Sequence, residues 1–374
     1  MKKCLLALAA LSAAGCQTIA EEGNRLRPGL AIAADALANE LPPEIYAIGA
    51  ERSLHKPYGR LAADILNTGF SGDIGISREG RIATFSSPRD DDDTIPAWPW
   101  ASVTKQIVAV MVMQQVEAGA IDLDAAAQNY LPSLASDIDS PTIRQLLQHR
   151  SGLRNPDDSP VRADGWPSFY TDGPTGIDWC TADRTAPTED WRYNNCDYIV
   201  LGAILEAVTG SDLNNLFQAN IVGPAKLSNT WIFEPGVMGD YHGREAAYDA
   251  RLARYGWSAG LAGPIFDLLQ FDRALMSGSL LSKQSLDTLW ESDPALGYMA
   301  LGQWVFEAPL KGCDTPVKIV ERRGGIGKYQ VRNIILPERE TALVLTTSDE
   351  SVDLREIWTG EGVMYDAISA VACT

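Results

Sequence analysis

The stretch Ile107-Val-Ala-Val-Met-Val-Met113, extended by Val116, is apolar on every side of a helix rather than along one stripe. A helix of that kind has no face to give to water, so the fold must wrap it in other elements. It is too short to span a bilayer, which needs about 20 apolar residues. The buried helix opens at Ser102-Val-Thr-Lys105, directly after Pro96, Trp98, Pro99 and Trp100. A serine and a lysine three apart lie on one helical face, a turn from each other. At a buried helix start, peptide N–H groups and the positive end of the helix dipole gather beside Ser102. Burial also disfavours a charged amine, so Lys105 can act as a base. A serine hydroxyl is a poor nucleophile unless such a base adjoins it.

Ser-x-x-Lys is a short pattern and by itself most often marks an ordinary helix start. The second feature is Tyr193-Asn-Asn195, far along the chain. Tyr193 offers another proton carrier. Asn195 offers an amide that can bind a substrate and orient Lys105. Together these residues point to covalent acyl-enzyme chemistry with no cofactor. The histidines, His55, His149 and His242, are scattered, and no Cys/His spacing suits zinc, so no metal site is expected. His149 follows the helical Leu146-Leu-Gln and is read as a cap on the last carbonyls of that helix. Gly324-Gly-Ile-Gly-Lys328 superficially suggests a phosphate loop, but Arg322 stands where glycine is required and Tyr329 where Ser or Thr is required. A net charge of −18 over 374 residues opposes nucleic-acid binding.

Several blocks in order then resemble a known family. Ala101-Ser-Val-Thr-Lys-Gln, Gln115-Val-Glu-Ala-Gly-Ala-Ile-Asp-Leu-Asp and Tyr130-Leu-Pro are similar to the serine β-lactamase-related hydrolases. The likeness is to the class C branch with its penicillin-binding and esterase relatives. Thr142-Ile-Arg-Gln-Leu-Leu-Gln-His-Arg-Ser-Gly-Leu153, the Tyr193–Gly210 segment and Tyr255-Gly-Trp-Ser-Ala-Gly-Leu261 continue it, so that it runs from about Phe70 to about Leu345. The resemblance implies an α/β (α+β) domain with the DD-peptidase/β-lactamase-like fold: an antiparallel sheet flanked by helices, with a helical region inserted over roughly 120–290. It implies Ser102 as nucleophile, Lys105 as base and Tyr193 as proton relay. Asn195 would bind substrate. The substrate would be a small molecule or a peptide-like one: an ester, an amide or a β-lactam. D-amino peptidase or DD-carboxypeptidase activity on cell-wall peptides is the alternative chemistry. A non-catalytic cell-wall-binding lipoprotein of the same fold is the alternative of a different class.

The third motif departs from the family, which places Lys-Thr-Gly or His-x-Gly on a strand beside the site. Here the matching stretch is Glu321-Arg-Arg-Gly-Gly-Ile-Gly. The alignment puts Arg322 at the Lys/His position, Gly324 at the motif glycine and the Gly325 N–H as an oxyanion donor with that of Ser102. A shift by one, to Arg323 and Gly325, is the other register. Arginine keeps the charge and can grip a carboxylate, but it cannot shuttle a proton.

Lys2, Lys3 and the apolar Leu5–Ala14 read as an export leader over residues 1–16, ahead of a hydrolase domain at 17–374. Ser12-Ala-Ala-Gly-Cys16 resembles a lipoprotein cleavage site with Cys16 lipidated, the alternative being ordinary signal-peptidase cleavage. Gln17 favours the outer membrane of a Gram-negative cell, with the domain periplasmic and the membrane met only through Cys16. Cys180, Cys196, Cys313 and Cys373 permit two disulfides in three pairings, or none if the thiols are free. A hairpin is expected around Glu79-Gly80, strands at Val317–Val320, Val331–Leu336 and Ala342–Thr346, and helices at Leu30–Leu41 and Gly362–Val371. The Pro-, Gly- and Trp-rich stretch 154–190 is expected to border a cleft, with Trp166, Trp179, Trp257 and Tyr329 as candidate lining residues.

Overall fold

The computed structural model describes residues 46–48, 70–86, 97–234 and 246–373, without the side chains of 46–48 and 246–249. The leader, Cys16, the helix expected at Leu30–Leu41, His55 and His242 lie outside the described residues.

The strands are β1 (Tyr46–Ile48), β2 (Asp73–Arg78), β3 (Arg81–Ser86), β4 (Trp98–Pro99), β5 (Trp231–Ile232), β6 (Leu261–Gly263), β7 (Trp304–Ala308), β8 (Val317–Ile326), β9 (Tyr329–Leu336) and β10 (Thr341–Thr347). Seven of them form an antiparallel sheet in the order β1-β3-β2-β10-β9-β8-β7. The β2–β3 hairpin turns at Glu79 (φ 50°) and Gly80 (φ 78°), the two left-handed positions that a two-residue turn of this hand requires. β10 pairs with both β2 and β9, so the two ends of the domain meet in mid-sheet. β8 runs well past the expected Val320, and β7 was not expected at all.

The long helices are α1 (Thr104–Glu117), α2 (Asn195–Thr209), α3 (Ala246–Tyr255), α4 (Ile265–Met276) and α5 (Val363–Ala372). α1 is the all-apolar helix, and every residue from Thr104 to Met113 is buried. A 3-10 turn, Ala101–Val103, leads into it. α2 is capped by the Asn194 side chain, which accepts from the Cys196 N–H, and it ends at Gly210 in the left-handed conformation. α4 lies close on the sheet because Gly75 has no side chain; a Cβ there would be 2.6 Å from Leu269 Cδ1. α5 covers the other face, where Ile74, Phe85, Ile319, Ile334 and Leu343 join Met364, Ile368 and Val371 in a second core. Residues 120–290 carry helices α2, α3 and α4 with several shorter ones, separated by long loops over much of 120–194. The small sheet β4-β6-β5 was not expected, and it ties the approach to α1 to the segment before α4.

Two disulfides form, Cys180–Cys196 and Cys313–Cys373. The first joins the start of α2 to the short helix Ile177–Thr181 of the 154–190 stretch. No described helix is long and apolar enough to cross a membrane.

Candidate active site

Ser102 sits in the first turn before α1, where backbone N–H groups have no helical acceptor. The residue before it, Ala101, is buried with φ 45°. A non-glycine residue held there is strained by about 1–2 kcal/mol, and the bend sets the direction in which Ser102 leaves the strand-like Trp98–Pro99. One helical turn on, Lys105 is fully buried.

Four oxygens surround the Lys105 amine. Its Nζ lies 3.3 Å from Ser102 Oγ, 2.7 Å from Tyr193 Oη, 2.6 Å from Asn195 Oδ1 and 2.8 Å from the Ser258 carbonyl. Ser102 Oγ and Tyr193 Oη share a short hydrogen bond. Tyr193 precedes α2, and its carbonyl accepts from Asn155 Nδ2 at 2.9 Å. Burial, and then the Arg322 charge, hold the Lys105 amine well below its ordinary range. Burial raises the Tyr193 phenol, with Arg322 opposing it.

Asn195 does not present its amide to a cleft. The residue is 3% exposed. Its Oδ1 accepts from Lys105 and, at 3.2 Å, from Tyr193 Oη, while its Nδ2 donates to Tyr170 Oη at 2.7 Å. Both ends are occupied within the protein, so that here Asn195 orients Lys105, the second of the two parts expected of it.

β8 brings up the third motif. β7 pairs with β8 only as far as Glu321, so that among the described residues the strand beyond has no strand partner on that side and faces the 101–103 turn. Gly324 lies against this turn with no room for a side chain, whereas Gly325 is exposed at the strand edge. The register question resolves to Arg322. Its buried Nε donates to the Ser102 carbonyl at 2.9 Å, and its guanidinium lies 5.7 Å from the Tyr193 ring and 5.2 Å from the Trp304 ring. Its Nη1 and Nη2 have no hydrogen-bond partner among the described residues. Arg323 points to the opposite face, paired with Glu321 at 3.0 Å and with Glu356.

His149 is not a helix cap. It is buried, with φ 61°, and its Nδ1 lies 2.9 Å from Asp197 Oδ2. Ser151 Oγ donates to the other Asp197 oxygen. Burial raises the Asp197 carboxyl well above its usual range and lowers the His149 imidazole, with Arg322 adding to the latter. Both directions favour the uncharged forms of the pair. The ring packs 4.8 Å from that of Tyr193, centroid to centroid, and so supports it from behind.

The 154–190 stretch reaches the site through Asn155, Asp157 and Tyr170. Of the aromatic residues picked out as lining, Tyr329 is core and Trp179 lines a separate cavity of about 310 Å³ with His149, Asn155 and Asn194. Trp191 and Trp304 are the indoles at the site, 6.2 Å apart, with Trp191 6.5 Å from Tyr193. Sequence reading also missed Ser258, Tyr170 and Asp157. Ser258 acts through its carbonyl, which any residue could supply. No group of acidic, histidine or cysteine side chains suited to a metal exists among the described residues.

A buried serine-bearing helix beneath an antiparallel sheet, with the open edge of β8 closing over the serine, is the β-lactamase/DD-peptidase fold. The chain belongs to the β-lactamase family of serine hydrolases, whose model matches residues 83–360. It is 24% identical over 289 residues to penicillin-binding protein 4* of Bacillus subtilis, which covers 68% of this chain and 62% of that protein. It is 26% identical over 176 residues to a D-aminopeptidase of Cereibacter sphaeroides, covering 42% of this chain and 32% of that protein. Among solved structures, the D-amino acid amidase of Ochrobactrum anthropi SV3 complexed with D-phenylalanine has a similar fold, with TM-score 0.66, 17% identity and coverage of 85% of this chain and 98% of that one. A D-stereospecific amidohydrolase from a Streptomyces species has TM-score 0.65, 19% identity and the same coverages.

Proposed function

We propose that this protein cleaves a small peptide-like amide through an acyl-enzyme on Ser102, with esters and β-lactams as chemically equivalent acyl donors. The reading rests on the surroundings of Lys105 Nζ. A neutral amine has two N–H bonds and one lone pair. Asn195 Oδ1 and the Ser258 carbonyl only accept, so they take both N–H bonds. The lone pair is left to the two hydroxyls, Ser102 and Tyr193.

In this mechanism the Ser102 proton passes to Lys105, directly or through Tyr193, as Oγ attacks the carbonyl. The N–H groups of Ser102 and Gly325 receive the oxyanion. Tyr193 returns a proton to the leaving nitrogen, and water then releases the acid by the reverse transfers. Lys105 and Tyr193 titrate as a pair. The Nη groups of Arg322 suit a substrate carboxylate near the scissile bond. Amide cleavage is favoured over the other donors by the likeness to proteins named as D-amino acid amidase, D-stereospecific amidohydrolase and D-aminopeptidase.

The test is intact mass over time for the domain following Cys16, mixed separately with D-phenylalanine amide, p-nitrophenyl acetate and benzylpenicillin. Ser102→Ala is the blank. An adduct that needs Ser102 supports the reading, and turnover ranks the donors. No adduct and no turnover with any of them would leave the binding-only alternative. Export and lipidation at Cys16 are proposed from the leader alone; labelled palmitate that enters the wild type and not Cys16→Ala tests that.

A further inference from the structure

Tyr170 has no place in the steps above, yet it is the residue behind Asn195. It is 1% exposed, and its ring stacks on Tyr255 at 3.9 Å with the planes 9° apart. Its hydroxyl has two partners, Asp157 Oδ1 at 2.9 Å and Asn195 Nδ2 at 2.7 Å. Burial keeps the phenol protonated, so it has one proton to give. An ionised carboxylate has none and can only accept. The Tyr170 proton therefore goes to Asp157, and the phenolic oxygen is left to accept.

The two ends of a carboxamide have nearly the same shape and opposite hydrogen-bonding character. With the accepting Tyr170 oxygen at one end of Asn195, the NH2 must face it. The carbonyl end then faces Lys105. Were the amide reversed, its N–H would point at the Lys105 lone pair and occupy the electrons that Ser102 needs.

We propose that Tyr170, oriented by Asp157, is a positioning residue that sets the polarity of the Asn195 amide and so keeps the Lys105 lone pair free for Ser102. The inference rests on Lys105 acting as the base. The chain Asp157, Tyr170, Asn195, Lys105 carries orientation, not a proton, and each link is a single hydrogen bond with its direction fixed by the one before.

The experiment compares wild type, Tyr170→Phe, Asp157→Ala and Asp157→Asn in the same chain. Acylation by p-nitrophenyl acetate is one readout, and titration of Lys105 followed by its 13Cε resonance, which needs no substrate, is the other. The ionisable groups felt by Lys105 are Arg322, Asp157 and Asp197, and the two Asp157 variants separate lost charge from lost acceptor. Tyr170→Phe is expected to acylate about 10–100-fold more slowly, the scale of one buried hydrogen bond or two, with KM little changed. Its Lys105 titration moves to lower pH, because an amide N–H facing the amine opposes the ammonium form. Asp157 is exposed, so both variants at that position fold. Asp157→Ala slows acylation, and Asp157→Asn, which retains an acceptor, slows it less. Wild-type acylation and titration in Tyr170→Phe would overturn the proposal. If Tyr170→Phe does not fold, an Asp157→Ala that matches wild type overturns it. If the wild type is acylated by none of p-nitrophenyl acetate, D-phenylalanine amide and benzylpenicillin, the hydrolase reading fails, and the shift of the Lys105 titration still decides the polarity of Asn195.

Discussion

A Cβ added to Gly324 would stand 2.2 Å from the carbonyl oxygen of Trp100, just ahead of Ser102. Backbone touches backbone at this point, and no rotamer can relieve the clash. Gly324→Ala must push β8 away from the 101–103 turn or distort the turn. The expected cost is about 1–3 kcal/mol of stability, the range for overpacking a closed site. Acylation should fall further than stability does, since Gly325 and Arg322 move with the strand. Urea unfolding beside acylation kinetics on the purified variant checks both, and an Ala variant with wild-type acylation would refute the close packing.

Arg322 should govern the acid limb of activity. Burial is the larger cause of the lowered Lys105 amine, and the Arg322 charge is the next. Removing that charge makes the ammonium form easier to hold, so the Lys105 value rises. Activity needs the neutral amine, so for Arg322→Gln the acid limb of kcat/KM moves to higher pH. Arg322→Lys keeps the limb near its wild-type position while losing the Nε bond to the Ser102 carbonyl. A pH–rate profile of the three proteins distinguishes a charge effect from a purely steric one.

Asp197→Asn tests the neutral His149–Asp197 pair. An asparagine there can donate to His149 Nδ1 and accept from Ser151 as the protonated carboxyl does. Because burial raises the Asp197 value in the folded state, its contribution to stability is full below the ordinary carboxylate range and is lost as pH rises toward the folded value. The asparagine has no such dependence. Asp197→Asn should match wild type below the ordinary carboxylate range and gain on it as pH rises above that range, as read by denaturant unfolding at several pH values. A gap that narrows with rising pH would mean an ionised pair.

Loss of either disulfide should cost about 2–4 kcal/mol, but only one should reach the chemistry. Cys196 directly follows Asn195, and its bridge to Cys180 ties the start of α2 to the segment that carries Tyr170. Cys180→Ala/Cys196→Ala is expected to lower kcat as well as stability. Cys313→Ala/Cys373→Ala closes the far end of the sheet and should lower stability alone. Melting curves and kcat on the two double variants make the comparison.

What could be read from sequence was what is local or dictated by a buried helix. The apolar run of α1, the Glu79-Gly80 hairpin, the strand at Val331–Leu336 and the terminal helix follow from periodicity and turn chemistry. Ser102, Lys105 and Tyr193 converge as expected. The misses have one physical character: they concern which partner a polar group finds at long range. Asn195 was expected at Lys105, where it lies, but nothing in the chain announces Tyr170 behind it. His149 looked like a cap because Asp197, which holds it, is far away in sequence. Trp191 and Trp304 carry no pattern that distinguishes them from Trp166, Trp179 or Trp257; only the fold places Trp304 beside Arg322 and Trp191 beside Trp304. β4, β5 and β6 are too short for alternation to show.

The pairing of β2 with β10, in which Asp73 lies opposite Thr346, has a bearing on how the molecule comes into being. Strands from opposite ends of the domain must find each other before the sheet exists, and such non-local pairing is slow to nucleate. During synthesis the Ser102 segment leaves the ribosome long before Arg322, Gly324 and β10 follow it. The nascent chain therefore spends its early life without the surface that completes the serine, exposing instead an apolar helix that has nothing to lie against. Those are the conditions in which a holding chaperone finds its substrate and in which premature acylation has no site to act on. Competence arrives late and at once, when the last strand closes the middle of the sheet.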